Sequence, residues 1–570
     1  MNPGAARPKQ TAGRPVSRAL DAMSRLVTRT WSLPPRRNRV TIDAGLTVPM
    51  RDGTVLLADH YIPAGDTTAA TVLVRCPYGR AFPFSFLTAQ LIAERGYHVL
   101  LQSCRGTFGS GGVFEPMRSE IDDGQDTVAW LREQDWFTGR LATYGGSYLG
   151  FVQWALAMDP PPELVTAIVH AGPHDLSRTA YHNGVFDLYN YVEWSELMAN
   201  QERVSGPQGM YRMATADRRL RPALDAMPIT KGGRDLLGAE APWFESWLRH
   251  PDPEDMFWQP LQCRAALDRI AVPVLLITGW HDLFLEQTLE QYRVLAKRGV
   301  TTRLVVGPWA HLDEARAGVG IAESLRWLDQ YAGPAKTAKT TKIPKAKASA
   351  RVYVTGTRNW RDVGTWPPPD AAARQEWFLS PGGELTSQPV TGGADATFRY
   401  DPADPTPTTG GAIMSLSSGS RDNKAVERRL DVLVFTSAQL ELPVEMIGDM
   451  VAELAVTRDN PHADLFVRLC DVDPRGRSRN ICDGVVRLTE RDPLSGTVLV
   501  SMVGAAHRFG AGHRVRLQVS GGAHPRFARN PGNGKVESPP SEFVPTRYRI
   551  GTDGTSRLYL GGTAPGTARR

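Results

Sequence analysis

Up to about residue 332, short apolar runs of strand character alternate with helical stretches; past residue 350 the helical stretches stop. That switch constrains the fold more than any bulk property. Thr54–Tyr61, Thr71–Arg75, Tyr97–Gln102 and Leu141–Tyr144 read as strands. Ser85–Arg95, Ser119–Glu133 and Leu149–Met158 read as helices between and after them. Strands alternating with helices at this spacing predict a doubly wound, mostly parallel sheet of the α/β class.

The rhythm breaks over 176–250, which is rich in Trp, Tyr, Met, Arg and Leu with helical periods and no convincing strand. This stretch is expected to be a helical cap inserted into the α/β domain. The alternation resumes with strand Val272–Thr278, helix Leu285–Arg298, strand Arg303–Val306 and helix Ile321–Gln330. A linker rich in Lys, Ala, Thr and Pro follows at 333–350. Beyond it Val352–Thr355, Leu465–Cys470 and Val515–Val519 read as strands, and Gly/Pro turns punctuate the rest. In the last of these, Val515, Leu517 and Val519 alternate with Arg516 and Gln518, the mark of a half-buried strand. Strands without helices predict a jelly-roll β-sandwich over 351–570. With 570 residues the chain exceeds the ~250–300 that one core supports. The expected layout is a basic flexible tail at 1–40, an α/β catalytic domain at 41–175 and 251–332, the cap, the linker and the jelly roll.

The net charge of +6 does not point to nucleic acid, because of where the charge lies. Residues 1–40 hold nine Lys/Arg against one acid, and 333–350 hold five lysines and no acid. The body between and after them is acidic on balance. Both basic stretches read as solvated flexible segments. Within the first, Ser17–Trp31 has the pattern of a short basic amphipathic helix. Five scattered cysteines without a CxxC pair suggest reduced thiols and a cytoplasmic location. No apolar run of ~18 residues is present, so no membrane span is expected. HExxH and clustered Cys/His are absent, so neither metal nor cofactor is expected. Gly534-Lys535 lacks the Ser/Thr of a phosphate-binding loop. Oligomerisation of like chains remains open.

The chemistry centres on Gly145-Gly146-Ser147-Tyr148-Leu149-Gly150, between a short strand and a helix. A sharp strand–turn–helix lifts a serine above a sheet, and its crowded backbone needs small neighbours. The helix N-terminus offers N–H groups to a developing oxyanion. The motif departs from strict Gly-x-Ser-x-Gly by one added residue before the last glycine.

Two later strand ends carry candidate partners. Gly279-Trp280-His281-Asp282 follows one apolar strand, and Gly307-Pro308-Trp309-Ala310-His311 follows the next. Nucleophile, acid and base in that chain order is the α/β-hydrolase arrangement. A serine hydroxyl is a weak nucleophile near neutral pH and needs a base. His311 would take its proton, and Asp282 would hold the imidazole tautomer and stabilise its charge. His281 adjoins the acid but cannot readily turn back to serve it. His170 and His174 read as structural or cap residues, and Asp175 is a weaker alternative acid. Arg75-Cys76-Pro77-Tyr78 follows an early strand, so the Tyr78 hydroxyl and the Tyr148 N–H are candidate oxyanion donors.

Cys76-Pro77-Tyr78, Arg105-Gly106 and the three motifs above together resemble the cocaine esterase / X-Pro dipeptidyl-peptidase family of serine hydrolases. Gln518-Val519-Ser520-Gly521, Pro525-Arg526-Phe527 and Arg529-Asn530-Pro531 resemble that family's jelly-roll domain. The resemblance implies an α/β-hydrolase domain, a helical cap, a C-terminal jelly roll, and Tyr78 with Tyr148 as the oxyanion hole. Two departures stand out. Ser103 replaces the usual Asp two residues before Arg105-Gly106, which leaves Arg105 in want of a charge partner. Cys76 replaces the usual Asn or Thr.

Relatives split acyl esters, amino-acid esters, or peptides after proline. Recognition of a free α-amino group needs carboxylates to neutralise it. Asp282 is followed here by apolar Leu283-Phe284-Leu285. Phe284 resembles the aromatic acyl-pocket residue of the esterase branch and, with Trp280, is assigned to substrate binding. Asp187 and Glu193 of the cap read as surface or structural acids. The expected activity is hydrolysis of small acyl esters through a covalent acyl-enzyme. Cleavage of a short X-Pro peptide or an amino-acid ester is the alternative. A different class, a carbohydrate-binding protein on a dead hydrolase scaffold, would require a broken triad.

Overall fold

Strand Thr71–Cys76 is buried at all six of its positions. A strand apolar on both faces is stable only where both faces are covered, which is the usual setting of parallel sheets. The computed structural model describes residues 13–65, 67–204, 206–313, 318–334, 348–369 and 375–561. The chain forms two units, one of residues 1–172, 263–275 and 315–346, the other of 173–262, 276–314 and 347–570.

In the first unit, helix α1 (Arg18–Thr30) precedes strands β1 (Val40–Pro49), β2 (Val55–Pro63), β3 (Thr71–Cys76) and β4 (Val99–Ser103). Helix α2 (Glu120–Arg132), β5 (Leu141–Gly146), α3 (Tyr148–Leu156) and β6 (Leu164–His170) follow. The strand order is β1-β2-β4-β3-β5-β6. β1, β2 and β4 pair antiparallel, whereas β4/β3, β3/β5 and β5/β6 are parallel. The helix Val319–Tyr331 packs on this sheet through Trp327, whose indole N–H donates to Thr166 Oγ1 at 2.8 Å.

The stretch expected to be a flexible tail holds a folded element. Its first twelve residues lie outside the described ones, but the amphipathic stretch forms α1, with the Ser17 hydroxyl accepting from Leu20 N–H as N-cap. The helix is fastened by buried polar contacts: Ser24 donates to Glu94, and Arg95 donates to Thr28 Oγ1 at 3.0 Å. Arg18, Arg25 and Arg29 therefore ride on a packed element. The linker expectation falls largely on 335–347, outside the described residues.

In the second unit, helices α4 (Leu188–Asn200), α5 (Gly206–Ala214), α6 (Ala216–Asp225), α7 (Ile229–Leu237) and α8 (Trp243–Arg249) occupy the stretch read as a cap. A small hairpin, Tyr181–His182 with Val185–Phe186, also lies there and was not expected. Strand β7 (Val274–His281, entering from the first unit), α9 (Leu285–Lys297) and β8 (Thr302–Ala310) follow. β8 pairs in parallel with β9 (Ser349–Val354).

The remainder is all-β. Val444–Arg458 pairs antiparallel with Ser495–Phe509, and Ala463–Val472 pairs with both Ser478–Leu488 and Arg514–Ser520. Its core gathers Leu454, Leu465, Val467, Leu469, Val515, Leu517 and Val519. The half-buried pattern expected for Val515–Val519 holds for the apolar face. The polar face is covered too: Gln518 is buried and donates to Glu427 Oε1 at 2.8 Å. Cap and all-β region are tied within this unit. Asn190 accepts from Met414 N–H at 2.7 Å and donates to Ala412 O at 3.2 Å, and Asp217 accepts from Ser415 Oγ at 2.7 Å.

Candidate active site

Ser147 stands between β5 and α3 with φ 59° and ψ −124°. A non-glycine residue held at positive φ costs about 1–3 kcal/mol and persists only where its surroundings impose it. They do so here. The Ser147 N–H donates to His170 O at 2.9 Å, clamping the turn to the end of the adjacent strand β6. Gly145 has φ 152°, and a Cβ there would come within 2.4 Å of Leu149 Cβ. A Cβ on Gly150 would lie 2.5 Å from Gly172 Cα. This explains the shifted motif. Leu149 fills the space that Gly145 leaves, and the close backbone approach falls one residue later, at Gly150.

Tyr148 is the first residue of α3, where backbone N–H groups have no acceptor within the helix. Its hydroxyl is deeply buried, donating to Glu120 Oε1 at 2.7 Å and accepting from Met117 N–H at 2.8 Å. Tyr78 follows β3, the strand that pairs in parallel with β5, so both segments leave the same end of the sheet. Its backbone N–H donates to Cys76 Sγ at 3.4 Å, and its half-exposed ring stacks on Phe84 with centroids 5.3 Å apart. Burial pushes the Cys76 thiol up to about 12, so Cys76 acts here as a neutral acceptor. None of the five cysteines is in a disulfide, and all five are buried.

The charge partner that Arg105 lacks at position 103 comes from elsewhere. Arg105 grips Asp123 of α2 through two N–H donors at 3.1 and 2.6 Å and reaches Asp52 at 2.7 Å. Ser103 instead accepts from Arg80. Glu120 pairs with Arg75 at 2.7 Å and also holds the Tyr148 hydroxyl, so α2 braces the start of α3. Nothing in the sequence marked Glu120 for this, because its partner is 28 residues away.

In the second unit Asp282 and His311 come together. β7 runs through His281 and β8 through Ala310, so each residue directly follows its strand. The Gly279–His281 and Gly307–Ala310 stretches, expected just past the strand ends, are strand. His311 Nδ1 and Asp282 Oδ2 lie 2.9 Å apart, and the Asp282 side chain is wholly buried. Asp282 Oδ1 accepts the Phe284 N–H at 2.8 Å, and the Phe284 ring meets His311 edge-on. Both motif glycines answer to Trp309. A Cβ on Gly279 would lie 2.1 Å from its carbonyl oxygen, and one on Gly307 2.1 Å from its ring.

Trp280 is buried, donates its indole N–H to Tyr353 O at 2.7 Å and packs against Trp366. His170 shares a hydrogen bond with Ser324 Oγ at 2.8 Å, and His174 shares one with Gln291 at 3.1 Å. Asp175 caps the short helix Leu176–Ala180 and accepts from Ser177 Oγ at 2.6 Å. Among the described residues, no group of three or more His, Cys, Asp or Glu is placed to hold a metal. No described helix is long and apolar enough to cross a membrane.

Glu193 of α4 departs most from its sequence reading as a surface or structural acid. It is only 9% exposed, and its Oε2 has no hydrogen-bond partner among the described residues. Desolvation pushes its carboxyl up to about 8, against the pull of Arg219 and His311. It sits on the polar side of an aromatic helix, and sequence periodicity could not say what that side faces.

Residues 52–313 match the family model described as X-Pro dipeptidyl-peptidase (S15 family), and 341–566 match that of the X-Pro dipeptidyl-peptidase C-terminal non-catalytic domain. The chain is 30% identical over 544 residues to the cocaine esterase of Rhodococcus sp., covering 87% of this chain and 93% of that protein. Among solved structures, an aminopeptidase from a marine sediment Thaumarchaeota archaeon superposes with a TM-score of 0.76 at 23% identity, over 91% of this chain and 96% of that one. An α-amino acid ester hydrolase superposes with a TM-score of 0.76 at 22% identity, over 92% and 96%. The mostly parallel α/β sheet, the all-β C-terminal region and these matches agree: the chain is a serine hydrolase of the cocaine esterase / X-Pro dipeptidyl-peptidase family.

Proposed function

We propose that this enzyme cleaves small acyl esters through a covalent acyl-enzyme on Ser147. The Ser147 hydroxyl attacks the ester carbonyl carbon while His311 Nε2 takes its proton. The carbonyl oxygen becomes an oxyanion, received by the Tyr78 hydroxyl and the Tyr148 N–H. The C–O bond to the alcohol breaks, and the alcohol leaves with the proton from His311. Water then repeats the sequence on the acyl-enzyme, releasing the acid. What carries the reading is the buried 2.9 Å pairing of Asp282 with His311 at successive strand ends. The apolar Phe284 beside the imidazole supports an uncharged acyl group.

One observation supports a second reading. Glu193 is a buried carboxyl short of partners, with His311 among the charges that act on it. A substrate ammonium would satisfy it, which favours an amino-acid ester or an X-Pro peptide. A panel of p-nitrophenyl butyrate, a p-nitrophenyl benzoate and Gly-Pro-p-nitroanilide, run on wild type and Ser147→Ala, tests both. The esters are expected to be preferred, and Ser147→Ala to be inactive. A preference for the anilide would move the assignment to the second reading. Hydrolysis retained in Ser147→Ala would remove Ser147 as nucleophile.

A further inference from the structure

Two non-glycine residues at positive φ are joined through the nucleophile turn. Ser147, with φ 59°, is one; Ala171, with φ 44°, is the other and directly follows the last residue of β6. Their turns interlock. The Ser147 N–H donates to His170 O, and a Cβ on Gly172 would lie 2.6 Å from Gly150 Cα. Backbone of this kind persists only where its surroundings over-determine it. On one side the surroundings are α3, from which Gln153 donates to Ile168 O at 3.0 Å and Trp154 to Gly172 O at 3.4 Å.

The other pin is the His170 side chain, which is 7% exposed. Gly146 packs against it, since a Cβ there would lie 3.1 Å from His170 Cβ. The Tyr144 ring meets the imidazole edge-on, with centroids 5.3 Å apart. His170 Nε2 lies 2.8 Å from Ser324 Oγ. Ser324 gives its own proton to Gly320 O at 2.8 Å, so in this bond the imidazole N–H donates and the hydroxyl accepts. Ser324 belongs to the helix Val319–Tyr331, which is fastened to β6 at a second point, Trp327 on Thr166. Thr166 and His170 share one face of the strand. Only the contact at His170 stands at the strand end that receives Ser147.

We infer that His170 and Ser324 are a positioning pair for the nucleophile. Their bond fixes the His170 carbonyl, and that carbonyl fixes the Ser147 backbone and with it the direction of the hydroxyl. The inference rests on the reading of Ser147 as nucleophile, and it adds a second histidine that acts through the backbone and not as a base.

The test compares the full-length wild type with five variants on p-nitrophenyl butyrate, with Tm measured for each. His170→Leu and Ser324→Ala are each expected to lower kcat by about tenfold or more, with KM changed by less than about twofold. The double variant should be no slower than the slower single one, because both changes remove the same bond. His170→Gln, whose amide can still donate to Ser324, should recover most of kcat. Trp327→Phe loosens the same helix at Thr166, so it should lower Tm while kcat stays within about twofold of wild type. Should His170→Leu not fold, Ser324→Ala and His170→Gln carry the comparison. An unchanged kcat in Ser324→Ala, or an equal loss in Trp327→Phe, would overturn the inference. A fluorophosphonate probe read by mass spectrometry separates the two assignments. Label is expected on Ser147, and more slowly in Ser324→Ala. Label on Ser147 at the wild-type rate in that variant removes the positioning pair alone, whereas label on another residue removes the nucleophile and the pair together.

Discussion

Phe284 and His311 meet edge to face, their ring centroids 5.3 Å apart and their planes at 85°. The backbone N–H of the same phenylalanine donates to Asp282 Oδ1 at 2.8 Å. One residue thus orders both members of the acid–base pair: its amide fixes the carboxylate, and its ring walls the imidazole. Phe284→Ala keeps the amide and removes the ring, so it is expected to lower kcat by about 10–100-fold, the scale for loss of positioning near the chemistry. Phe284→Leu should recover part of this. Steady-state kinetics on a p-nitrophenyl ester decides it, and an unchanged kcat in the alanine variant would dismiss the positioning role.

Tyr78→Phe removes a hydroxyl and little else, since the ring keeps its stack on Phe84. If that hydroxyl receives the oxyanion, kcat falls by about 10²–10³-fold with a smaller change in KM. Equal kcat in the two proteins would exclude it.

Gly150→Ala places a methyl 2.5 Å from Gly172 Cα, where only backbone can give way. The expected cost is about 1–3 kcal/mol, seen as a lower Tm, together with lost activity as the Ser147 turn shifts. Gly139→Ala is a poor control because Gly139 has φ 73°. Gly209→Ala, with open space around it and no positive φ, should leave Tm nearly unchanged.

Glu193 predicts a pH dependence of stability. Its carboxyl titrates near 8 in the folded chain against an ordinary 4.5, chiefly through desolvation. Between those values the folded chain holds a proton that the unfolded chain has lost, so stability falls as pH rises through that window. Glu193→Gln removes the titration. Relative to wild type it should gain stability progressively from about pH 5 to pH 8, by up to a few kcal/mol. Thermal melts across that range test it; parallel Tm curves for the two proteins would contradict it.

The α/β alternation and the strand ends carrying Ser147, Asp282 and His311 were readable because each rests on local pattern, such as strand period and the glycines of tight turns. The precise strand ends were not. Gly279 and Gly307 look like loop glycines, but they are strand residues kept small by Trp309. Arg105 shows the same limit: its missing neighbour at 103 is replaced by Asp123 on another element. α1 was readable as a short amphipathic helix, but its anchoring was not, because charge composition says nothing about Glu94, the buried acid that receives Ser24.

Sequence alone therefore determined the class of fold and the short list of residues able to do acyl chemistry, since both follow from near-neighbour constraints on the backbone. Only the tertiary structure decided that Asp282 and His311 share a hydrogen bond and that Glu193 lies buried. Those properties arise from desolvation and from contacts between distant segments, which no local pattern encodes.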